Sequence, residues 1–272
     1  MGVEKNIINC HGWNVYVEKH NFHPANETII MVNGALSTTT AFRGTVKSLS
    51  GKFNVILFDM PFIGESLSHN ELTKIITKED EVDILLDIIE QLQPSYIYSI
   101  SWGGLATLLA LARHPAHIKK AIVASFSPRI NEKMRAYVEG ARALMRQDRY
   151  GEAAEMLNLE VGKYLPPLIK HFNYQYLTSL HGEVLKQVRF HIEQVLPIQE
   201  TDYVELFRKI EIETLFLNGE KDEYTTADDV KQIGSHIPKS QFQIVPNAGH
   251  FLDMENRKAT AIVADTIISF LE

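Results

Sequence analysis

Residues 99–104, Ser99-Ile100-Ser101-Trp102-Gly103-Gly104, decide how this chain folds. They follow the apolar run Tyr96-Ile97-Tyr98 and precede Leu105-Ala106-Thr107-Leu108-Leu109-Ala110-Leu111-Ala112, so the local order is strand, tight turn, helix. A turn with small residues on either side of one serine exposes its hydroxyl and leaves the next backbone N–H free to stabilise an oxyanion. The usual pattern for such a turn is Gly-x-Ser-x-Gly, and here Ser99 occupies the first position. Serine next to glycine is also common where a strand simply meets a helix. What the turn means therefore depends on the rest of the chain.

The same alternation extends on both sides. Residues 7–17 alternate about His11-Gly12 and read as a hairpin. Residues 27–32, 54–58 and 121–125 are short runs rich in β-branched and apolar residues, each a buried strand. Residues 38–49 and 77–92 read as helices, as does the stretch from the serine turn to His114, stopped by Pro115. The Ser37 and Thr38 hydroxyls suit the start of the first of these. Thr77 and Asp80 make a capping-box pattern for the second, whose apolar face is Val82, Leu85, Leu86, Ile89 and Leu92. Strand and helix at this spacing imply parallel strands with right-handed crossovers.

The alternation breaks at Pro128. Residues 129–209 offer helices only, one with the stripe Met134, Val138, Ala141, Leu144 and Met145. It resumes with a strand at 213–217, a helix at 227–237, a strand at 241–245 and a closing helix at 256–271. The expected architecture is one α/β domain, a mostly parallel sheet with helices on both faces. Residues 1–128 and 210–272 form the core, and 129–209 a helical lid inserted in it. There is no internal repeat, low-complexity tract or linker.

Bulk properties exclude several function classes. The 272 residues carry a net charge of −7, which argues against general nucleic-acid binding. Cys10 is the single cysteine, so no intramolecular disulfide forms and a reducing compartment fits. The first ten residues lack the apolar core of a signal peptide, and no run approaches the roughly 20 apolar residues of a membrane span. The expectation is a soluble, cytoplasmic protein. No Cys or His cluster suggests a metal, since His171, His181 and His191 lie ten apart, and no Gly-rich loop suggests a nucleotide; neither a metal nor another cofactor is expected.

Two later loops give the serine turn its meaning. Asp222 follows the strand at 213–217 within Asn218-Gly219-Glu220-Lys221-Asp222. His250 follows the last strand within Asn247-Ala248-Gly249-His250-Phe251. Parallel topology puts both loops at the carboxyl edge of the sheet, beside Ser101. A neutral serine hydroxyl needs a base, His250 can take the proton and return it to a leaving group, and Asp222 can fix the histidine tautomer. Glu220, Glu223 and Asp253 compete with Asp222 for that last role. The order Ser, Asp, His is that of α/β-hydrolases. The oxyanion donors would be the backbone N–H of Trp102 and of Ala35, on the Asn33-Gly34-Ala35 loop. Many relatives have His-Gly there; Asn33 leaves the backbone role intact, and its amide can brace the loop. Asp59 and Ser66 read as structural. The elbow serine disfavours dehalogenase chemistry, which needs an aspartate at that place.

The chain resembles the α/β-hydrolase superfamily from the strand before Asn33 to the last helix. Within it, the chain is similar to the bacterial synthases that make the lipid moiety of rhamnolipids. The carrying segments are Val32-Asn33-Gly34-Ala35, Phe53 to Asp59, Ser99 to Gly104, Val161 to Pro166, Arg189-Phe190-His191-Ile192, Asp222 to Thr226 and Gly249 to Asp253. Serine before the nucleophile is a trait of that family. The resemblance implies transfer of a 3-hydroxyacyl group, from an acyl carrier protein or coenzyme A thioester through an acyl-serine, to the 3-hydroxyl of a second such group. Water as acceptor would make the same residues a thioesterase or esterase, and a vestigial triad would make the fold a ligand receptor. Substrate contacts are expected from Asn33, Gly34, Ser99, Tyr164 and His191. Tyr164, Phe172, Tyr174, Tyr176, Phe190 and Leu196 are candidates for an apolar tunnel, although helix packing accounts for each singly. Six basic residues, Arg129, Lys133, Arg135, Arg142, Arg146 and Arg149, outnumber Glu132, Glu139 and Asp148 and offer a docking face for an acidic carrier protein or the coenzyme A phosphates; a solvated helix face is the plainer account.

Overall fold

The computed structural model describes residues 2–199 and 201–272. Met1 and Glu200, which fall in the ranges expected for the core and the lid, lie outside the described residues. Eight strands form one sheet in the order β1-β2-β4-β3-β5-β6-β7-β8. They are β1 (Gly2–Cys10), β2 (Trp13–Asn21), β3 (Thr28–Val32), β4 (Asn54–Asp59), β5 (Tyr96–Ile100), β6 (Lys120–Ala124), β7 (Glu213–Gly219) and β8 (Ser240–Val245). β1 and β2 are the hairpin read from His11-Gly12, whose two residues have φ of 51° and 80°. β2 runs antiparallel to β4; every pairing from β4 to β8 is parallel.

Helices cover both faces. On one side lie α2 (Lys78–Leu92), α3 (Gly103–Leu111) and α9 (Ala227–Gly234); on the other lie α1 (Arg43–Leu49) and α10 (Arg257–Leu271). α3 is apolar almost all round because it packs against the sheet and α2 together, and eight of its nine residues are buried. The Thr77–Asp80 capping box is present in full. The face α2 buries includes Ile84 and Ile88 as well as Val82, Leu85 and Ile89, and it begins with Lys78 and Glu81.

Two local expectations are corrected. The helix over 38–49 is a 3-10 turn followed by α1, and no side chain caps it: the Thr38 hydroxyl pairs with that of Thr40 instead. The helix after the serine turn ends at Leu111, three residues before His114.

Between β6 and β7 the chain forms α4 (Glu132–Arg146), α5 (Tyr150–Leu159), α6 (Pro167–Ser179), α7 (Glu183–Val195) and the short α8 (Val204–Phe207). α4 packs against α5 and α7. Gln187 of α7 anchors this group to the core, its amide donating to Ile76 O at 2.7 Å and accepting from Ile76 N–H at 2.9 Å. Among the described residues no helix is long and apolar enough to cross a membrane.

Candidate active site

The parallel sheet delivers three loops to one edge. β5 ends in Ser101, held at φ 49°, a left-handed conformation that is uncommon for a side-chain-bearing residue. The backbone ties it down from both directions: Ser101 N–H donates to Ala124 O at 2.9 Å, and Ser101 O accepts from Gly104 N–H at 2.8 Å. Gly103 and Gly104 are required by close approach. A Cβ on Gly103 would stand 2.4 Å from Asn33 O, and one on Gly104 would stand 2.6 Å from the Phe126 ring. The serine turn is therefore pressed directly against the loop after β3.

His250 lies on the loop after β8, and its Nε2 is 3.0 Å from Ser101 Oγ. Its Nδ1 meets Asp222 Oδ2 at 2.8 Å. Asp222, on the loop after β7, also accepts from the Thr225 hydroxyl at 2.6 Å and from the N–H groups of Tyr224 and Thr225. Burial pushes the Asp222 carboxyl up, but the His250 ring and these donors outweigh it and hold the group below its ordinary value. Asp222 is thus a carboxylate facing the imidazole, with His250 Nε2 directed at Ser101, the arrangement in which a histidine can act as base toward a serine.

The residues that hold this geometry carried no sequence signal. Ser125 Oγ donates to His250 O at 2.6 Å, and Glu255 accepts from Gly249 N–H and Phe251 N–H on either side of the histidine. Among the described residues none of the competitors for the acid meets His250. Glu220 accepts from Asn247 N–H, Asp253 accepts from the Thr45 hydroxyl, and Glu223 is exposed.

Ala35 and Trp102 both line the cavity over Ser101. Neither backbone N–H has a hydrogen-bond partner among the described residues. Gly34 lies against Ser101, where a Cβ would come within 3.2 Å of Ser101 Cβ. Asn33 braces the loop by donating to Phe58 O at 3.0 Å. Asp59 and Ser66 are buried scaffolding: Asp59 accepts from Thr39 N–H and Glu65 N–H, and Ser66 bridges Asp59 O and Tyr16 N–H.

The cavity measures about 240 Å³ and is almost wholly apolar. Core loops form its floor, while Met134, Tyr137, Val138 and Ala141 of α4 and Val188, His191 and Ile192 of α7 form its roof. Of the expected substrate contacts Gly34 and His191 line the cavity and Asn33 does not; three further expectations about its lining fail. Ser99 is fully buried within the sheet, its hydroxyl turned to Ile122 O, because alternate residues of β5 face opposite sides. Tyr164 does not line the cavity; it packs on Gly249 from outside, half-exposed under Lys221. Phe172, Tyr174, Tyr176, Phe190 and Leu196 are likewise outside the lining, which comes from the α4 stripe instead.

A strained serine between a buried Asp–His pair and two free N–H groups, at the carboxyl edge of a parallel sheet, defines an α/β-hydrolase-type site. A family model for the alpha/beta hydrolase fold matches residues 27–168, and the chain belongs to that family. It is 45% identical over 261 residues, 96% of this chain and 88% of the other, to a Pseudomonas putida protein named (R)-3-hydroxydecanoyl-ACP:CoA transacylase. It is 42% identical over 273 residues to the Pseudomonas aeruginosa protein of the same name, covering 100% of this chain and 91% of that one. Solved structures with the same fold include an α/β hydrolase from a Medee basin deep-sea metagenome library, at TM-score 0.79 and 18% identity over 97% of both chains. A thermophilic esterase from Thermogutta terrifontis aligns at TM-score 0.76 and 19% identity, over 100% of this chain and 98% of that one.

Proposed function

We propose that the chain is a serine acyltransferase that takes a 3-hydroxyacyl group from an acyl carrier protein or coenzyme A thioester and esterifies it with a second 3-hydroxyacyl group. The observation that carries this is the continuous Asp222–His250–Ser101 relay opening onto an apolar cavity roofed by α4 and α7. The likeness to the named transacylases supports it, since it runs through the helices of that roof as well as the core.

In the first half-reaction Ser101 Oγ attacks the thioester carbonyl carbon as His250 Nε2 takes its proton. The Ala35 and Trp102 N–H groups hold the oxyanion of the tetrahedral intermediate. Collapse breaks the C–S bond, and the carrier thiol leaves with the proton from His250. In the second half-reaction an acceptor hydroxyl gives its proton to His250 and attacks the acyl-serine; Ser101 recovers the proton as its C–O bond breaks. The acceptor decides the product. The 3-hydroxyl of another hydroxyacyl group gives an ester dimer, a coenzyme A thiol gives transacylation, and water gives thioester hydrolysis. An acceptor oriented in a closed cavity can reach effective molarities of ~10⁵ M or more and so outcompete water.

Mass spectrometry of the products from a 3-hydroxyacyl-carrier thioester, with and without free coenzyme A, tests this. The ester dimer is expected; hydroxyacyl-coenzyme A alone would make the chain a transacylase, and free hydroxy acid alone a thioesterase.

The docking face for the thioester carrier is read from α4 and the residues that flank it. Arg142 and Arg146 both meet Glu193, at 3.5 and 2.6 Å, Lys133 meets Glu160, and Arg149 meets Glu152. Arg129 meets Asp229, and Arg135 reaches Leu196 O. These groups stay substantially exposed, so an acidic partner can compete for them. Reversing Arg142 and Arg146 to glutamate should raise KM for the donor, and an unchanged KM at low salt would remove this face from consideration.

A further inference from the structure

Beneath the serine turn lies a set of buried charges that the acyl-transfer scheme leaves unused. Lys78 and Glu81, at the start of α2, are 6% and 5% exposed and form an ion pair. The Glu81 carboxylate also accepts from the Trp102 indole N–H at 3.2 Å and meets His191 Nε2 at 2.9 Å. The Lys78 ammonium sits 3.8 Å from the centroid of the Trp102 ring, and the His191 ring stands 5.5 Å from it. One carboxylate thus gathers a residue of the core, the residue after the nucleophile and a residue of α7.

Burial opposes ionisation of Glu81, but Lys78 and His191 outweigh it and bring the group down to about 2. As a carboxylate it accepts from the Lys78 ammonium and the Trp102 indole N–H. Gln187, 3.0 Å from the same nitrogen, is itself fixed on Ile76. An ion pair buried this deeply adds little stability over well-packed apolar residues of the same size. Its placement needs another explanation, and Trp102 supplies one. The indole is held at its N–H by Glu81, over its face by Lys78 and beside His191. Fixing that side chain fixes the peptide plane whose N–H faces the developing oxyanion.

We propose that Glu81, with Lys78, is a positioning residue of the oxyanion hole, acting through Trp102, and that His191 ties α7 to the same point. This rests on the reading of Ser101 as nucleophile and of Trp102 N–H as an oxyanion donor. A misplaced donor costs transition-state stabilisation while leaving ground-state binding alone.

The test replaces the pair with apolar residues of similar length, Lys78→Met with Glu81→Met, a change that leaves no buried charge unpaired. The double variant should keep its Tm within a few degrees. Its kcat should fall ~10-fold or more at unchanged KM. An alkyl trifluoromethyl ketone, whose adduct on Ser101 carries an oxyanion, should lose affinity by the same factor, while the matching methyl ketone binds as before. Full kcat with full fluoroketone affinity overturns the proposal, and so does an equal loss for both ketones. Trp102→Phe keeps the backbone N–H, leaves the ion pair intact and removes the anchor to Glu81. It should show the same split between the ketones; no split overturns the proposal even if the double variant does not fold. A wild-type enzyme indifferent to the fluoroketone overturns the reading of Ser101 itself, and this proposal with it.

Discussion

Two buried carboxylate–histidine pairs flank the same cavity, and their third partners separate their roles. Asp222 meets His250 at 2.8 Å and Glu81 meets His191 at 2.9 Å. Among the described residues Asp222 has only neutral donors besides the imidazole, from Thr225 and Tyr224, so its charge faces the ring. Glu81 has Lys78, so its charge is already answered. His250 Nε2 then reaches the Ser101 hydroxyl, whereas His191 Nε2 meets the Glu81 carboxylate and the Gln187 amide. A carboxylate–histidine pair thus occurs once without a cation on the carboxylate and once with one.

The sharpest way to break this comparison is to remove each histidine. His250→Ala should lower kcat by ~10⁶-fold, as loss of a member of a nucleophile–base unit does. His191→Ala should cost no more than ~10²-fold, the scale of misplaced geometry. Comparable losses, measured as single-turnover acylation rates, would erase the distinction. Asp222→Asn comes next, with an expected loss of ~10⁴-fold in kcat and little change in KM, because the amide presents the wrong tautomer to the ring.

The remaining expectations concern stability. Lys78→Met alone leaves Glu81 buried without its cation and should destabilise the fold by about 3–5 kcal/mol, read by urea unfolding. Glu81 has a folded-state value of about 2 against 4.5 when exposed, so the fold favours its ionised form. Its contribution is complete above about pH 4.5 and is lost as pH falls through about 2; the stability gap between Lys78→Met and wild type should close over that window. Asp253 provides the opposite sign and the smallest effect. Burial raises its pKa, against the pull of the Thr45 hydroxyl, so ionisation at neutral pH opposes folding. Asp253→Asn should therefore be slightly stabilising at pH 7 and neutral below the ordinary carboxylate range; a loss of Tm at pH 7 would contradict this.

Most of the sheet was legible from local pattern. The strands at 28–32, 54–59, 96–100, 120–124, 213–219 and 240–245 lie where β-branched and apolar runs end in Gly, Asp, Asn, Ser or Pro. What failed was the reading of single side chains. Thr38 looked like a cap and instead pairs with Thr40, and Phe172 and Tyr174 of α6 looked like tunnel lining and instead face outward, while Tyr176 packs into the core away from the cavity. Lys78 and Glu81 did carry a signal: they continue the stripe of Leu85 and Ile88 at helical spacing. A charged pair on an apolar stripe is usually read as its solvated end, and here the stripe runs on into the protein beneath Trp102.

The sequence by itself determined the order of strands and helices and the three loops that carry Ser101, Asp222 and His250. Periodicity is local, and parallel crossovers have one hand, so loops after successive strands must gather at one edge. Only the tertiary structure decided which way Ser99 and Tyr164 turn, which helices roof the cavity and where the Lys78–Glu81 charges lie. Those depend on contacts between residues far apart in the chain, such as Gln187 on Ile76 and His191 on Glu81, and no local pattern encodes a partner 110 residues away.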